Sequence, residues 1–294
     1  MGYTRDVSFL NIVFQAFAMK EYIGGQAVIE GVMMASRKKV AIAVRKTNGK
    51  ITLKVAKRNE LAEKFRKTPF LRGLTSLFEM IVIGTKALTW SSNENLEEDE
   101  KIGGWGMFFM MLFSFALAIG LFVALPLFLS KFFSEERVLF NIVDGLWRVG
   151  IFVGYLWFIS RFDDMKRVFQ YHGAEHKAVH CYEAGKPLTA KNAQKFSTIH
   201  PRCGTSFIFI VLLVSIILFS LVWSESWWMK FLYRIVLIPV IAMMSYEILR
   251  FNARKPNKVL GFLTTPGLWL QKITTREPEL KMVEVAVRAL KAAM

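Results

Sequence analysis

The sequence predicts an α-helical integral membrane protein with about four transmembrane helices in two hairpins, plus a small N-terminal cytoplasmic α+β domain. The first supporting observation is composition: of 294 residues, 53% are hydrophobic, yet Lys and Arg outnumber Asp and Glu by 39 to 23. The second is that the apolar and the basic residues occupy different parts of the chain. The hydrophobic content excludes a disordered chain, and only two cysteines exclude a small disulfide-linked scaffold.

Two long stretches of the chain carry no Asp, Glu, Lys or Arg. They are residues 102–130 and 203–224, and each exceeds the roughly 20 apolar residues that a helix needs to cross a bilayer. Each is followed by a second apolar segment with a few charges, at 138–160 and at 227–246. Each pair of segments predicts one helical hairpin in the membrane.

The basic residues define the predicted orientation. Of the 39 Lys and Arg, 34 lie before residue 103, between 161 and 202, or after 249. By the positive-inside rule, the N-terminus, the middle loop and the C-terminus face the cytoplasm of a multi-pass membrane protein. The bilayer is therefore the expected partner. Nucleic acid is not expected, because the basic residues are not interleaved with exposed aromatic residues.

Residues 1–100 form the predicted cytoplasmic domain. Segments 40–44 and 51–55 alternate around an Asn-Gly turn and predict a hairpin, and residues 26–35 predict a third strand. Residues 70–90 predict an amphipathic helix. Its polar stripe fits a helix in the membrane interface and fits equally a helix packed on the soluble domain.

Residues 101–255 form the predicted membrane domain, with a His-rich cytoplasmic loop at 161–203. Asp144 and Arg148 stand four residues apart within the second span, which predicts that they pair with each other. Arg234 and Glu247 flank the fourth span and are expected to extend toward the two interfaces. Glu247 lies toward the predicted cytoplasmic end and is an additional candidate metal ligand.

Residues 256–294 form the predicted C-terminal cytoplasmic tail. Residues 264–271 predict a turn entering an interfacial helix, with Trp269 as its anchor. A second helix, 277–294, places four apolar residues on one face: Leu280, Val283, Val287 and Leu290.

All four histidines fall within 29 residues of one another. His172, His176 and His180 recur every four residues, so one face of a helix would carry three imidazoles, and His200 and Cys203 follow after a loop. Imidazoles four residues apart on a helix can share one metal ion. Because the loop begins and ends at membrane spans, we expect these two groups to meet at the same membrane face.

Residues 172–176 match the pattern H-x-x-E-H. In that chemistry the two histidines hold zinc and the glutamate activates water. The predicted ligands are therefore His172, His176, His200 and Cys203, with His180 as an additional candidate. Glu175 is the predicted catalytic residue, and the predicted cofactor is a divalent metal, most consistent with zinc.

Three other interpretations of this cluster remain open. The histidines could form a polar interfacial face without metal, or a closed four-coordinate structural zinc site. Cys203 or Cys181 beside a histidine could act as a nucleophile, although Cys203 suits a ligand role better. Membrane di-iron enzymes of the histidine-box type need roughly eight histidines, and this chain has four.

Several motifs resemble the YqhQ-like family of bacterial membrane proteins. They are GGQAVIEGVMM (24–34), YHGAEHKAVHCYE (171–183), HPRCGTSF (200–207), PGLWLQ (266–271) and TTREPE (274–279). That family is described as predicted metal-dependent enzymes without an established reaction. The resemblance thus implies a protein of the bacterial cytoplasmic membrane with a metal site, and it places His172, Glu175, His176, His200 and Cys203 at the family's motif positions. It implies no substrate.

The sequence favours a membrane metal-dependent enzyme, a hydrolase acting at the cytoplasmic face on a peptide or lipid. The alternative is a non-catalytic, metal-stabilised adaptor that binds a membrane-protein insertion or envelope-assembly complex. A transporter is a weaker alternative, because only Asp144 and Arg148 bring charge near the middle of the bilayer.

Overall fold

A four-stranded antiparallel sheet opens the part of the chain that the structure describes. The computed structural model describes residues 23–58, 68–133, 136–222, 224–254 and 258–294. The strands are β1 (Gly24–Val28), β2 (Gly31–Ala35), β3 (Lys39–Arg45) and β4 (Ile51–Lys57), hydrogen-bonded in that order. Residues 1–22 and 59–67 of the predicted N-terminal domain lie outside the described residues.

The predicted hairpin around the Asn-Gly turn is confirmed. Strands β3 and β4 pair from Lys39 opposite Lys57 to Arg45 opposite Ile51. Gly49 has φ of 80°, a left-handed conformation that glycine adopts without steric cost. The turn therefore fixes the register of these two strands.

The predicted third strand, 26–35, is two strands joined by a tight turn at Ile29 and Glu30. Glu30 has φ of 51°, which a non-glycine residue rarely adopts, and its carboxylate is held by Arg167 and by the Tyr171 hydroxyl. The following Gly31 permits the close approach of β3, because a Cβ there would lie 2.2 Å from the Ala43 carbonyl oxygen. Apolar residues continue on both sides of Glu30, so the hydrophobic pattern did not indicate a turn there.

Helix α1 (Leu71–Asn93) confirms the predicted amphipathic helix. It packs against the sheet at its C-terminal half, where Gln26 donates to the Gly84 carbonyl and the Ile29 N–H donates to Ser91. Near its N-terminus, Gly73 lies against Tyr246 of a membrane helix. Insertion of its exposed apolar residues into the membrane interface remains a prediction.

Three helices in the described part of the chain are long and apolar enough to cross a membrane: α2 (Gly104–Ser130), α3 (Arg137–Ile159) and α7 (Trp227–Arg254). They correspond to the first, second and fourth predicted spans. Their outward-facing surfaces are largely apolar and exposed, as expected of side chains that contact lipid.

The third predicted span is only partly supported. Helix α6 (Gly204–Leu221) forms there, but its apolar stretch is Phe207–Leu221, shorter than the roughly 20 residues that a full crossing needs. Cys203 is its N-cap residue, and the backbone is extended again at Val222. Three crossings rather than four are therefore supported by helix length and composition.

A buried charge cluster joins these apolar helices. Asp144 and Arg148 pair at 2.8 Å, as predicted. The prediction that Arg234 extends toward an interface is wrong, because Arg234 is 4% exposed and donates to Asp144 at 2.8 Å. A buried guanidinium needs a carboxylate partner more than a surface one does, and Asp144 supplies it.

The remaining helices lie between the apolar helices or in the C-terminal region. Helix α4 (Asp163–Glu183) follows α3, and α5 (Ala190–Ala193) is a short turn after it. Helix α8 (Lys258–Thr274) packs on α6 and contains Pro266, so the predicted turn at 264–271 is wrong and that segment lies within a helix. Trp269 on α8 is 63% exposed, as an interfacial residue would be.

Helix α9 (Leu280–Ala293) completes the core of the sheet region, which consists of β1–β4, α4 and α9. It packs on β2, β3 and α4, and Val283, Val287 and Leu290 are buried there as predicted. Leu280, the first residue of this apolar face, is 46% exposed. The first helical residue precedes the point where α9 meets the sheet.

This helix offers a matched pair of substitutions. Leu290→Ala should lower the free energy of unfolding of the sheet region by about 2–5 kcal/mol, because it leaves a cavity in a closed core. Leu280→Ala should change it by less than about 0.5 kcal/mol, because Leu280 is exposed. Pulse proteolysis in urea on the full-length protein measures both, and equal effects would contradict this packing.

Candidate metal centre

Helix α4 brings three histidines onto one buried face. His172 and His176 pack edge to face one helical turn apart, with ring centroids 4.5 Å from each other. His200, from the loop before α6, completes the cluster, with its ring 5.6 Å from His176 and 4.4 Å from His180. The predicted meeting of the helix and the loop is therefore present in the structure.

The first group of potential ligands consists of His172, His176 and Cys203. Their donor atoms all lie within 4.8 Å of one another, and His172 Nε2 is 3.2 Å from Cys203 Sγ. Donors around a tetrahedral zinc ion are separated by roughly 3.6 Å, from metal–ligand distances of about 2.0–2.3 Å. The three atoms thus surround a position that suits one small cation.

Backbone carbonyls fix the tautomer of both imidazoles in this group. His172 Nδ1 contacts the Thr274 carbonyl oxygen at 2.8 Å, and His176 Nδ1 contacts that of Thr198. A carbonyl only accepts, so each ring carries a proton on Nδ1, and the neutral form of either ring has its lone pair on Nε2. Metal-binding histidines are oriented by this type of contact.

His176 Nε2 is fully buried and has no hydrogen-bond partner among the described residues. Its nearest carboxylate oxygen, Glu175 Oε2, is 3.4 Å away. Burial and the neighbouring histidines hold the pKa of His176 well below its usual value, so the ring is neutral. A buried lone pair without a donor is costly in a closed structure, and a cation would satisfy it.

The Cys203 sulfur lies at the start of α6. The Thr205 hydroxyl is 3.3 Å from Sγ, and the N–H groups of Gly204 and Thr205 also point to it. Burial nevertheless raises the pKa of the Cys203 thiol above its ordinary value. The thiol is therefore a poor nucleophile at neutral pH without a nearby cation, whereas its surrounding donors would support a thiolate bound to a metal.

Glu175 points from α4 toward strand β1. Its carboxylate accepts from the Gly25 N–H, and a Cβ at position 25 would lie 3.0 Å from Glu175 Cγ and 2.5 Å from the Met33 carbonyl oxygen. Gly25 is therefore needed for the strand to pass so closely. Burial raises the pKa of Glu175 to about 8, despite the opposing effect of His172.

The second group consists of His180, Glu183 and His200. His200 Nδ1 accepts from the Arg202 N–H at 3.2 Å, so its Nε2 carries the proton and donates to Glu183 at 3.1 Å. His180 Nε2 donates to the Ile199 carbonyl oxygen. Both ring nitrogens of His200 and Nε2 of His180 are thus occupied by hydrogen bonds, whereas Nε2 of His176 has no partner among the described residues.

Glu183 was missed by the sequence reasoning. It stands three residues after His180 on α4, so helical spacing alone could have placed it beside the histidines. Although burial raises the pKa of Glu183, the hydrogen bond from His200 and the charge of Arg202 outweigh that effect and lower it. Burial lowers the pKa of His180 to about 4.

The loop that carries His200 and Cys203 is held by a buried amide on α8. Gln271 accepts from the His200 N–H at 2.8 Å and donates to the His200 carbonyl at 2.9 Å. Helix α4 also passes close to the segment after α8, because a Cβ at Gly173 would lie 2.2 Å from the Arg276 carbonyl oxygen. The separated motifs of the sequence therefore converge at this centre.

The structure sorts the predicted ligands into separate places. His172, His176 and Cys203 come together, whereas His200 and His180 lie in the adjacent group. Glu247, an additional candidate, pairs with Arg72 of α1 and accepts from the Phe70 N–H, and it belongs to neither group.

Comparison with known proteins identifies the family. The family model described as "Protein of unknown function (DUF1385)" matches residues 68–294. This range contains both groups of potential ligands but not the sheet. The chain is also 36% identical over 292 residues to the Uncharacterized protein YqhQ of Bacillus subtilis (strain 168), covering 90% of each. No solved structure matches. The resemblance seen in the motifs is confirmed: the chain belongs to the DUF1385 family of proteins of unknown function and is YqhQ-like.

Proposed function

We propose that the protein is a membrane-associated, metal-dependent hydrolase with His172, His176 and Cys203 as ligands and Glu175 as general base. The observation that carries this proposal is the fixed tautomer of both imidazoles, which leaves their Nε2 lone pairs beside the Cys203 sulfur. Three ligands would leave a fourth position open, as in catalytic rather than structural zinc sites.

The donor set suits zinc best. Two imidazoles and one thiolate are borderline-soft ligands, which favour zinc over magnesium or calcium. When bound, a zinc ion would polarise a scissile carbonyl or phosphoryl group and lower the pKa of water toward about 7. His200 is left out of this ligand set because its two ring nitrogens already serve Arg202 and Glu183.

Glu175 supplies the proton-transfer step in this proposal. Its carboxylate lies 3.4 Å from His176 Nε2, next to the ligand atoms rather than among them. Burial raises the pKa of Glu175 to about 8, and a bound cation beside it would lower that pKa toward neutral pH, where a carboxylate both accepts and returns protons efficiently. Glu175 would accept a proton from the attacking water and pass it to the leaving group.

The position of the centre supports a substrate that resides in or on the membrane. Cys203 begins the apolar helix α6, and Arg276, beside Gly173 of α4, donates to the Ser160 carbonyl at the end of α3. The proposed ligands thus lie where the candidate membrane helices meet the sheet region. We therefore propose a peptide or lipid at the cytoplasmic interface as the substrate class.

A structural role for the metal is the second candidate. The observation in its favour is that the centre ties together the segments carrying Thr198, Thr274 and Gly25, which are distant in sequence. A metal-stabilised adaptor for another membrane complex would use the same ligands. Only a catalytic role requires the acid–base chemistry of Glu175.

Metal analysis of the purified full-length protein tests the ligand set. Wild type should retain about one zinc ion per chain, and His176→Ala should lose it, because the site depends on both imidazoles. His180→Gln is the matched control and should keep the metal, since His180 lies on the same helix face but donates to the Ile199 carbonyl. Wild-type protein without stoichiometric metal, after loading with zinc, would refute the proposal.

A second substitution separates catalysis from structure. Glu175→Gln should retain zinc but lower hydrolysis of a fluorogenic peptide or phospholipid in proteoliposomes by about 100-fold or more, the usual contribution of a general base. Loss of zinc in this variant would make Glu175 a ligand instead. Unchanged turnover of a substrate that wild type cleaves would remove Glu175 from the reaction.

A further inference from the structure

The buried charge cluster in the membrane helices is not electrically balanced. Arg148 and Arg234 share one carboxylate, with Asp144 Oδ2 accepting from Arg148 and Oδ1 from Arg234, both at 2.8 Å. All three residues are at most 4% exposed. One carboxylate neutralises one guanidinium, so the cluster retains one positive charge away from water.

The surroundings of the two guanidinium groups stabilise cations but add no negative charge. Both lie over the ring of Phe219, at 4.6 Å for Arg148 and 5.1 Å for Arg234. Arg148 also donates to the Phe122 carbonyl at 2.9 Å. Pro126, four residues after Phe122, has no N–H and so cannot make the usual helical hydrogen bond to that carbonyl. Arg148 Nε is buried and has no hydrogen-bond partner among the described residues.

A small hollow lies beside Arg234, between α3, α6 and α7. Its polar lining is basic or neutral, formed by Asn141, Lys230, Tyr233 and Arg234, and its apolar lining includes Phe140 and Phe219. The Lys230 ammonium lies 4.6 Å from the centroid of the Phe140 ring. No carboxylate stands among the described residues that line this hollow. Its size is close to the space that one water molecule fills, so it admits one oxygen of a larger group.

The hollow lies near the end of the helices that is remote from the histidines. Arg234 is seven residues into α7 and Lys230 three, so they lie roughly 10 and 5 Å from its start at 1.5 Å per residue. Lys230 is therefore at the depth of lipid headgroups, and Arg234 is just below it. A phosphate at the membrane surface can reach both.

We propose that this hollow binds the phosphate of an anionic lipid headgroup, with one phosphate oxygen directed at Arg234 and Lys230. Asn141 and Tyr233 contribute neutral hydrogen-bond donors to the same group. An anion there supplies the charge that Asp144 alone does not, and the acyl chains of the lipid lie along the exposed apolar surfaces of α3 and α7. This site does not depend on the metal centre.

Native mass spectrometry of the full-length protein from nanodiscs tests the proposal. The nanodiscs contain phosphatidylcholine with a minority of phosphatidylglycerol. Wild type should retain phosphatidylglycerol, and the double variant Asn141→Leu, Lys230→Met should retain it about tenfold more weakly, since it loses one charge and one donor. Tyr233→Phe, which removes only a hydroxyl group, should give an intermediate loss.

Lys131→Met is the matched control, because it removes a basic charge at the same end of the helices but outside the hollow. This variant should retain lipid as wild type does. Equal retention by all four proteins overturns the proposal. Two results together would assign the hollow to a soluble phosphate and overturn the lipid source. They are binding of inorganic phosphate by the protein in pure phosphatidylcholine nanodiscs, and release of phosphatidylglycerol when phosphate is added to the mixed nanodiscs.

Discussion

The donation of two imidazole N–H groups to backbone carbonyls is the interaction on which the candidate metal centre depends. Helix α4 buries its histidine face, and buried rings need partners at both nitrogens. The Thr274 and Thr198 carbonyls satisfy Nδ1 of His172 and His176. They thereby direct both Nε2 atoms to one point, beside the Cys203 sulfur. Without these carbonyls the same residues would be near one another but free to adopt either tautomer.

The same physical rule separates the two neighbouring histidine groups. Residue types alone make His180, Glu183 and His200 as suitable for a metal as His172, His176 and Cys203. Hydrogen bonding distinguishes them, because His200 is fixed by the Arg202 N–H on one side and by Glu183 on the other. The second group therefore stiffens the loop that delivers Cys203, and the first remains able to accept a cation.

The sequence predicted those features that depend on local spacing. The Asn-Gly hairpin, the histidine face of α4 and three of the spans follow from turn chemistry or periodicity within a few residues. Two features depended on distant partners and could not be predicted. Glu30 turns the chain because Arg167 and Tyr171 hold its side chain. Arg234 stays inside because Asp144 lies 90 residues earlier.

The contact between Thr274 and His172 also has a consequence for the order of biosynthesis. Residue 274 is made after every apolar helix in the chain, and Gln271, which holds His200, is made only three residues earlier. A ribosome-bound intermediate that has already inserted those helices thus still lacks one carbonyl and one amide of the centre. The candidate centre can form only after residue 274 has been made, so a chain truncated before that residue cannot assemble it.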